Sequence, residues 1–145
     1  MPDDTTLPSG MEVPMVAAIV GCLATVMIAL LPLAVIDAEW ASLSLYFEAG
    51  LGGLWVVIAL SLILAVVLQA GRSERTDPAL AIGIGLGAGI VLIIATVWWA
   101  ISVDAQLVAE LSPEPWFASH RVLLVLLTVS IPTSCLWAAM RVDLL

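Results

Sequence analysis

Four long apolar runs divide the chain, at about residues 13–36, 51–70, 79–103 and 120–140, and their interiors carry no Asp, Glu, Lys or Arg. Each run is close to the roughly 20 residues with which an α-helix crosses about 30 Å of hydrocarbon. Because a segment in lipid must satisfy its own backbone hydrogen bonds, each run predicts a transmembrane helix. The expected fold class is all-α, a bundle of four transmembrane helices that forms a single domain over residues 12–145.

Residues that favour helix ends flank three of these runs. Pro14 falls in the first turn of the first run, where a missing N–H costs little. Asp77 followed by Pro78 is a typical helix start and precedes the third run. Gly71 directly follows the second run, in a position that commonly terminates a helix.

The segment before the first run, residues 1–11, is polar and predicts a flexible acidic tail. It has no Lys or Arg, whereas a secretory signal has a positive amino-terminal region. The first run is therefore expected to be retained. Translation can start at Met1 or at Met11, and the sequence leaves both open.

Two short segments between the runs are too polar to span. In residues 40–48, the alternation of Leu43, Leu45 and Phe47 favours an extended or interfacial stretch. Residues 105–111 predict one or two helical turns that lie on the membrane surface.

Composition agrees with a membrane protein. Of the 145 residues, 63% are hydrophobic and 11% are charged, against roughly 45–50% and about 25% in soluble domains. The chain has 12 acidic residues and 4 basic ones, all arginine, for a net charge of −8. This balance excludes a nucleic-acid partner, which needs clustered positive charge, and it is typical of proteins that work at high salt.

The arginines predict how the bundle is oriented. Arg72 and Arg75 lie between the second and third runs, and Arg141 follows the fourth. With four spans these three positions share one side, whereas Arg121 lies on the other. The positive-inside rule therefore predicts that the N and C termini are cytoplasmic and that the protein is multi-pass in the cell membrane.

The third run contains Gly83, Gly85, Gly87 and Gly89. No strand precedes them, so they do not form a dinucleotide-binding motif. Gly83 with Gly87 and Gly85 with Gly89 instead form two overlapping GxxxG pairs, which let a neighbouring helix approach closely. We expect packing on two faces of this helix. One face can hold a partner, either a second copy of the chain or another membrane subunit.

The fourth run contains Pro132, which cannot donate to the carbonyl of Thr128 and predicts a helix kink. Hydroxyl side chains in the runs can satisfy such carbonyls, or alternatively line a small channel or transporter path. The candidate pore-lining residues are Thr25, Ser61, Thr96, Thr128, Ser130 and Ser134.

Most aromatic residues fall on the side opposite Arg72 and Arg141. An aromatic belt at the lipid headgroups explains most of them. Trp98, Trp99 and His120 also form a tentative outer-face binding site, for an organic cation or a partner protein. We expect His120, together with Arg121, to anchor the end of its helix at the interface.

Candidate chemistry is sparse. Cys22 and Cys135 lie inside apolar runs, and the sequence cannot show whether they are close. The lone histidine matches no established metal-site spacing and cannot supply both axial ligands of a haem. No hydrolase, zinc-protease or P-loop motif occurs. We therefore expect no catalytic residue, metal or cofactor.

Several short stretches carry a resemblance to a known family. GRSERTDP at Gly71–Pro78 leads into the glycine-rich run, Trp98-Trp99-Ala100 ends that run, and His120-Arg121 opens the last. With its acidic, lysine-free composition, the chain resembles a family of small uncharacterised four-span membrane proteins of haloarchaea. The resemblance implies the four-span architecture and a halophilic setting, and it implies no activity, cofactor or site residue.

The sequence therefore favours an integral membrane protein that is not an enzyme. It would be a structural or accessory module whose main partner is the lipid bilayer. The alternative is a small channel or transporter, which could be oligomeric.

Overall fold

The computed structural model describes residues 10–143, and these fold into six helices. In chain order the helices are α1 (Glu12–Val35), α2 (Trp40–Glu48), α3 (Gly53–Arg72), α4 (Pro78–Ser102), α5 (Ala105–Leu111) and α6 (Pro115–Arg141). Four of them, α1, α3, α4 and α6, are long and apolar enough to cross a membrane. The predicted all-α fold with four spans is confirmed.

The four long helices pack in a ring. Both α1 and α4 pack against α3 and α6, so each long helix has two main neighbours. At one end of the bundle Glu12 pairs with Arg72 at 3.1 Å, and Gly10 lies beside Arg141. The short helices α2 and α5 contact each other at the opposite end, where α2 packs on α3 and α5 on α6. We call this opposite end the α2/α5 end.

Most of the bundle surface is apolar. Between 33% and 44% of each spanning window is buried inside the protein, so the greater part of each long helix faces outward. Large apolar side chains are exposed on every long helix, among them Met27, Val66, Ile101 and Leu126. An apolar exterior of this kind is typical of helices that lie in a membrane.

Residues 40–48 form a helix, so the expected extended stretch was wrong. Leu43, Tyr46 and Phe47 are buried on one face, with the spacing of three and four that a helix turn produces. Leu45, which the alternating pattern had grouped with Leu43 and Phe47, is 61% exposed. The helical period thus decides which side chains reach the core.

The helix ends follow some of the sequence signals. The Asp77 carboxylate accepts from the Ala79 N–H at 3.0 Å, with Pro78 as the first helical residue, as predicted. Gly71 does not terminate α3, which continues to Arg72. A Cβ at Gly71 would lie 2.3 Å from the Cβ of Ala81, so this glycine lets α3 and α4 approach closely. 

The other boundaries shift by a few residues. The last span begins at Pro115 rather than near residue 120, because proline fits the first turn of a helix. The short helix at residues 105–111 is present, with the Asp104 carboxylate accepting from the Gln106 N–H at 2.8 Å. Residues 1–9 of the expected tail lie outside the described residues, whereas Met11 is buried.

Candidate functional site

The most distinctive polar contact in the bundle begins with a proline in a membrane span. Pro32 lies inside α1 and has no N–H, so the carbonyl of Ile28, four residues earlier, lacks its usual helical donor. The Nε2 atom of His120, on α6, lies 2.6 Å from that carbonyl oxygen. Since a carbonyl can only accept, Nε2 carries the proton and donates it. His120 thus satisfies a backbone group that Pro32 leaves open.

The second ring nitrogen of His120 is also bonded. With Nε2 protonated, Nδ1 of the neutral ring accepts from the hydroxyl of Tyr46 on α2, at 2.7 Å. Burial raises the pKa of the Tyr46 hydroxyl above its ordinary range, and the Arg121 guanidinium lowers it in part. The hydroxyl therefore stays protonated at neutral pH and serves as the donor. One imidazole joins α6 to both α1 and α2.

Two neighbouring side chains also donate to carbonyls at helix ends. The indole Nε1 of Trp99, on α4, donates to the carbonyl of Tyr46 at 2.9 Å, within the last turn of α2. Nη1 of Arg121 donates to the carbonyls of Ala100 and Val103, at 3.3 and 3.2 Å, where α4 ends. The last carbonyls of a helix have no partner within it, so these contacts satisfy groups that are otherwise unpaired.

Aromatic rings enclose the histidine. Phe117 stacks on His120 with ring centroids 6.0 Å apart, and Trp99 and Trp116 meet it edge-on, each at 6.4 Å. Tyr46 is fully buried and His120 is 2% exposed. We call the group formed by Tyr46, Trp99, Phe117, His120 and Arg121 the His120 cluster.

Its environment limits what the His120 cluster can do chemically. A tyrosine–histidine pair is able to transfer protons, but a substrate must reach hydrogen-bond distance of the reacting atoms. The clefts on the described surface include three, between α1 and α3, α5 and α6, and α4 and α6, and neither Tyr46 nor His120 lines any of these three. The contacts of the cluster join α6 to α1, α2 and α4.

The three residues of the expected outer-face site differ in exposure. Trp98 is 49% exposed and covers Gly50, where an added Cβ would lie 2.9 Å from the Trp98 ring. Trp99 and His120 are buried and belong to the His120 cluster. The expected interfacial anchoring of His120 is wrong, because its ring is turned inward to serve the Ile28 carbonyl.

The structure separates the two glycine pairs of α4. A Cβ at Gly85 would lie 2.6 Å from Cys135 Sγ, and one at Gly89 would lie 2.9 Å from the Cβ of Pro132. Both contacts are on α6, so this pair lets α4 and α6 pack closely. At Gly83 and Gly87 an added Cβ meets nothing within 4 Å. This second face is open on the outside of the bundle.

Pro132 is buried within α6, and this helix runs unbroken from Pro115 to Arg141. The hydroxyls around it bond within their own helix. Thr128 donates to the carbonyl of Val125 at 2.9 Å, and Thr133 donates to that of Val129 at 2.8 Å.

The candidate pore-lining residues differ in their burial and hydrogen bonds. Thr25 and Thr96 are buried and donate to the carbonyls of Gly21 and Leu92, each at 2.7 Å. Ser61 is buried, and its hydroxyl has no partner among the described residues. Ser130 is exposed and Ser134 is partly exposed on α6; they donate to the carbonyls of Leu127 and Ser130.

Cys22 and Cys135 are free thiols buried in α1 and α6, which pack together. Within residues 10–143, His, Cys, Asp and Glu form no group of three or more that could hold a metal ion.

Comparison with known proteins places the chain in a family. No curated protein and no solved structure gives a significant match. A family model described as a family of unknown function, DUF7548, matches residues 9–143. This match covers all four spans and the whole His120 cluster, and the chain therefore belongs to this uncharacterised family.

Proposed function

We propose that the protein is a non-enzymatic module of the cell membrane that serves as a structural or accessory subunit, with its N and C termini in the cytoplasm. The observation that carries the proposal is the His120 cluster. Its polar side chains bond to one another or to backbone carbonyls at 2.6–3.3 Å, and the Tyr46–His120 pair is closed to solvent. Such an arrangement holds helices together.

The interior supports a module over a channel or transporter. The buried hydroxyls of Thr25, Thr96 and Thr128 are bonded within their own helices. Large side chains, including Leu64, Leu92 and Leu124, are fully or almost fully buried between the helices. The three clefts lie between neighbouring helices, and none is lined by these threonines.

A salt-rich setting is part of the same proposal. Its support is the net charge of −8 without a single lysine, since concentrated salt screens repulsion between exposed carboxylates. The resemblance to haloarchaeal membrane proteins agrees with it. The protein should therefore be purified in molar salt.

The partner surface that we propose is the open face at Gly83 and Gly87, where a helix of another subunit or of a second copy can approach the backbone of α4. Native mass spectrometry of the protein, extracted in mild detergent, should give an assembly heavier than the single 15.2 kDa chain. Gly83→Leu/Gly87→Leu should reduce it to the single chain without loss of helicity.

A wild-type protein that is already a single chain would contradict the accessory role. So would a Gly83→Leu/Gly87→Leu variant that retains the full assembly, because leucine at both positions blocks close helix approach. Leu126→Trp, at an exposed position of α6, is the comparison for added bulk on the outside of the bundle.

A further inference from the structure

The cleft between α1 and α3 has a volume of about 530 Å³. This is within the range of roughly 300–1,000 Å³ that small-molecule sites occupy. Ile19 and Leu23 form one wall, and Leu62, Ala65 and Val66 form the other. The cleft opens to the side of the bundle, where the apolar helix surfaces meet lipid.

The cleft is polar at one end alone. Gln69 and Ser73 line it near the end of α3, and Arg75 lines it from the following loop. The Ser73 hydroxyl donates to the carbonyls of Gln69 and Ala70. Arg75 and Gln69 thus line the cleft with a guanidinium and an amide that can donate to an occupant. An apolar cleft with hydrogen-bond donors at one end can hold one lipid chain along its walls and the lipid headgroup at the donors.

Arg75 differs from the other arginines in its contacts. Arg72 pairs with Glu12, Arg121 donates to helix-end carbonyls, and Arg141 lies over the Trp137 ring at 5.6 Å. Among residues 10–143, the exposed Arg75 side chain makes no hydrogen bond or ion pair. A guanidinium binds phosphate oxygens through two parallel hydrogen bonds, so an anionic group is its natural complement.

We propose that this cleft binds an anionic phospholipid, with the phosphate at Arg75 and one hydrocarbon chain along α1 and α3. The proposal rests on two observations. The walls of the cleft are apolar, and Arg75, which has no ion-pair partner among residues 10–143, lines one end of it. The exposed Glu74 does not line the cleft, and its charge weakens the attraction without blocking it.

The test compares two lipids with identical chains, phosphatidylglycerol and phosphatidylcholine, titrated into the detergent-solubilised full chain and followed by native mass spectrometry. One basic residue near a membrane surface contributes about 1 kcal/mol to anionic lipid binding, so we expect a roughly fivefold preference for phosphatidylglycerol. Arg75→Gln should remove this preference, whereas Arg141→Gln should retain it. Glycerophosphoglycerol, the headgroup without chains, should not displace the lipid.

Two tryptophan variants test the apolar part. Val66→Trp fills the cleft and should weaken the binding of both lipids, whereas Ile63→Trp, at an exposed position of α3 outside the lining, should not. Circular dichroism shows that each variant is folded. Equal affinity for the two lipids, an Arg75→Gln variant that keeps the preference, or a Val66→Trp variant that binds as wild type would each overturn the proposal.

Discussion

Replacing Gly85 and Gly89 together with leucine is expected to prevent the native packing of α4 against α6. The first added carbon alone would lie 2.6 Å from Cys135 Sγ and 2.9 Å from the Cβ of Pro132. Overpacking of one such contact typically costs about 1–3 kcal/mol. Two leucines bring three more carbons each into the same space, so we expect a loss of more than about 3 kcal/mol. Unfolding by SDS in mixed micelles, followed by circular dichroism, measures it.

The matched control makes the same two changes on the other face of α4. A Cβ at Gly83 or Gly87 meets nothing within 4 Å, so leucine there adds no clash inside the single chain. Because these glycines belong to the proposed partner surface, the variants and the wild type are compared as single chains, at a detergent-to-protein ratio that separates any assembly. We expect the free energy of unfolding to equal or exceed that of the wild type, because leucine favours a helix over glycine by up to about 1 kcal/mol per site. If the two double variants lose the same free energy of unfolding, the Gly85/Gly89 face is not packed more closely than the Gly83/Gly87 face.

His120→Ala is expected to cost about 3–5 kcal/mol of stability. The change leaves the Ile28 carbonyl and the Tyr46 hydroxyl without partners, at about 1–3 kcal/mol for each buried group, and it opens a cavity among the aromatic rings. Ser119→Ala, at the exposed neighbouring position, should be nearly neutral. The same SDS unfolding measurement applies.

A double-mutant cycle identifies the cause of that loss. Pro32→Ala restores an N–H that can donate to the Ile28 carbonyl within α1. His120→Ala should therefore cost about 1–3 kcal/mol less in the Pro32→Ala background than in the wild type. If the two changes are simply additive, His120 does not serve the carbonyl that Pro32 leaves open.

The spans were predictable because hydropathy and length act locally. Helix signals that depend on a few neighbouring residues, such as Asp77 followed by Pro78, could also be recognised in the sequence. The helix at residues 40–48 was not predicted, because the hydrophobic positions of a nine-residue segment can fit both the period of two of a strand and the period near 3.6 of a helix. The burial of Tyr46 beside Phe47, against other helices, selects the helix.

The His120 cluster was only partly predictable, because its contacts join distant parts of the chain. His120 lies 74 residues from Tyr46 and 92 from Ile28 in sequence. The available signal was Pro32 inside a span, which requires an outside donor for Ile28. The lone histidine at the same end of another span was the natural candidate. The glycine faces show the same limit, since spacing places two pairs on α4 but cannot tell which pair meets α6.

We infer that the four spanning helices enclose a dry, closed interior. Cys22 and Cys135 report on it directly, because they are 0% and 1% exposed on two facing helices. The measurement is their modification by a charged, water-soluble methanethiosulfonate in lipid nanodiscs, with a Gln106→Cys reporter at an exposed position of α5 for comparison. A thiol in a dry core does not form the reactive thiolate, so both should stay unmodified while the reporter reacts, and both should react after unfolding in SDS. Modification of either native cysteine in the folded protein, at a rate near that of the reporter, would contradict the account.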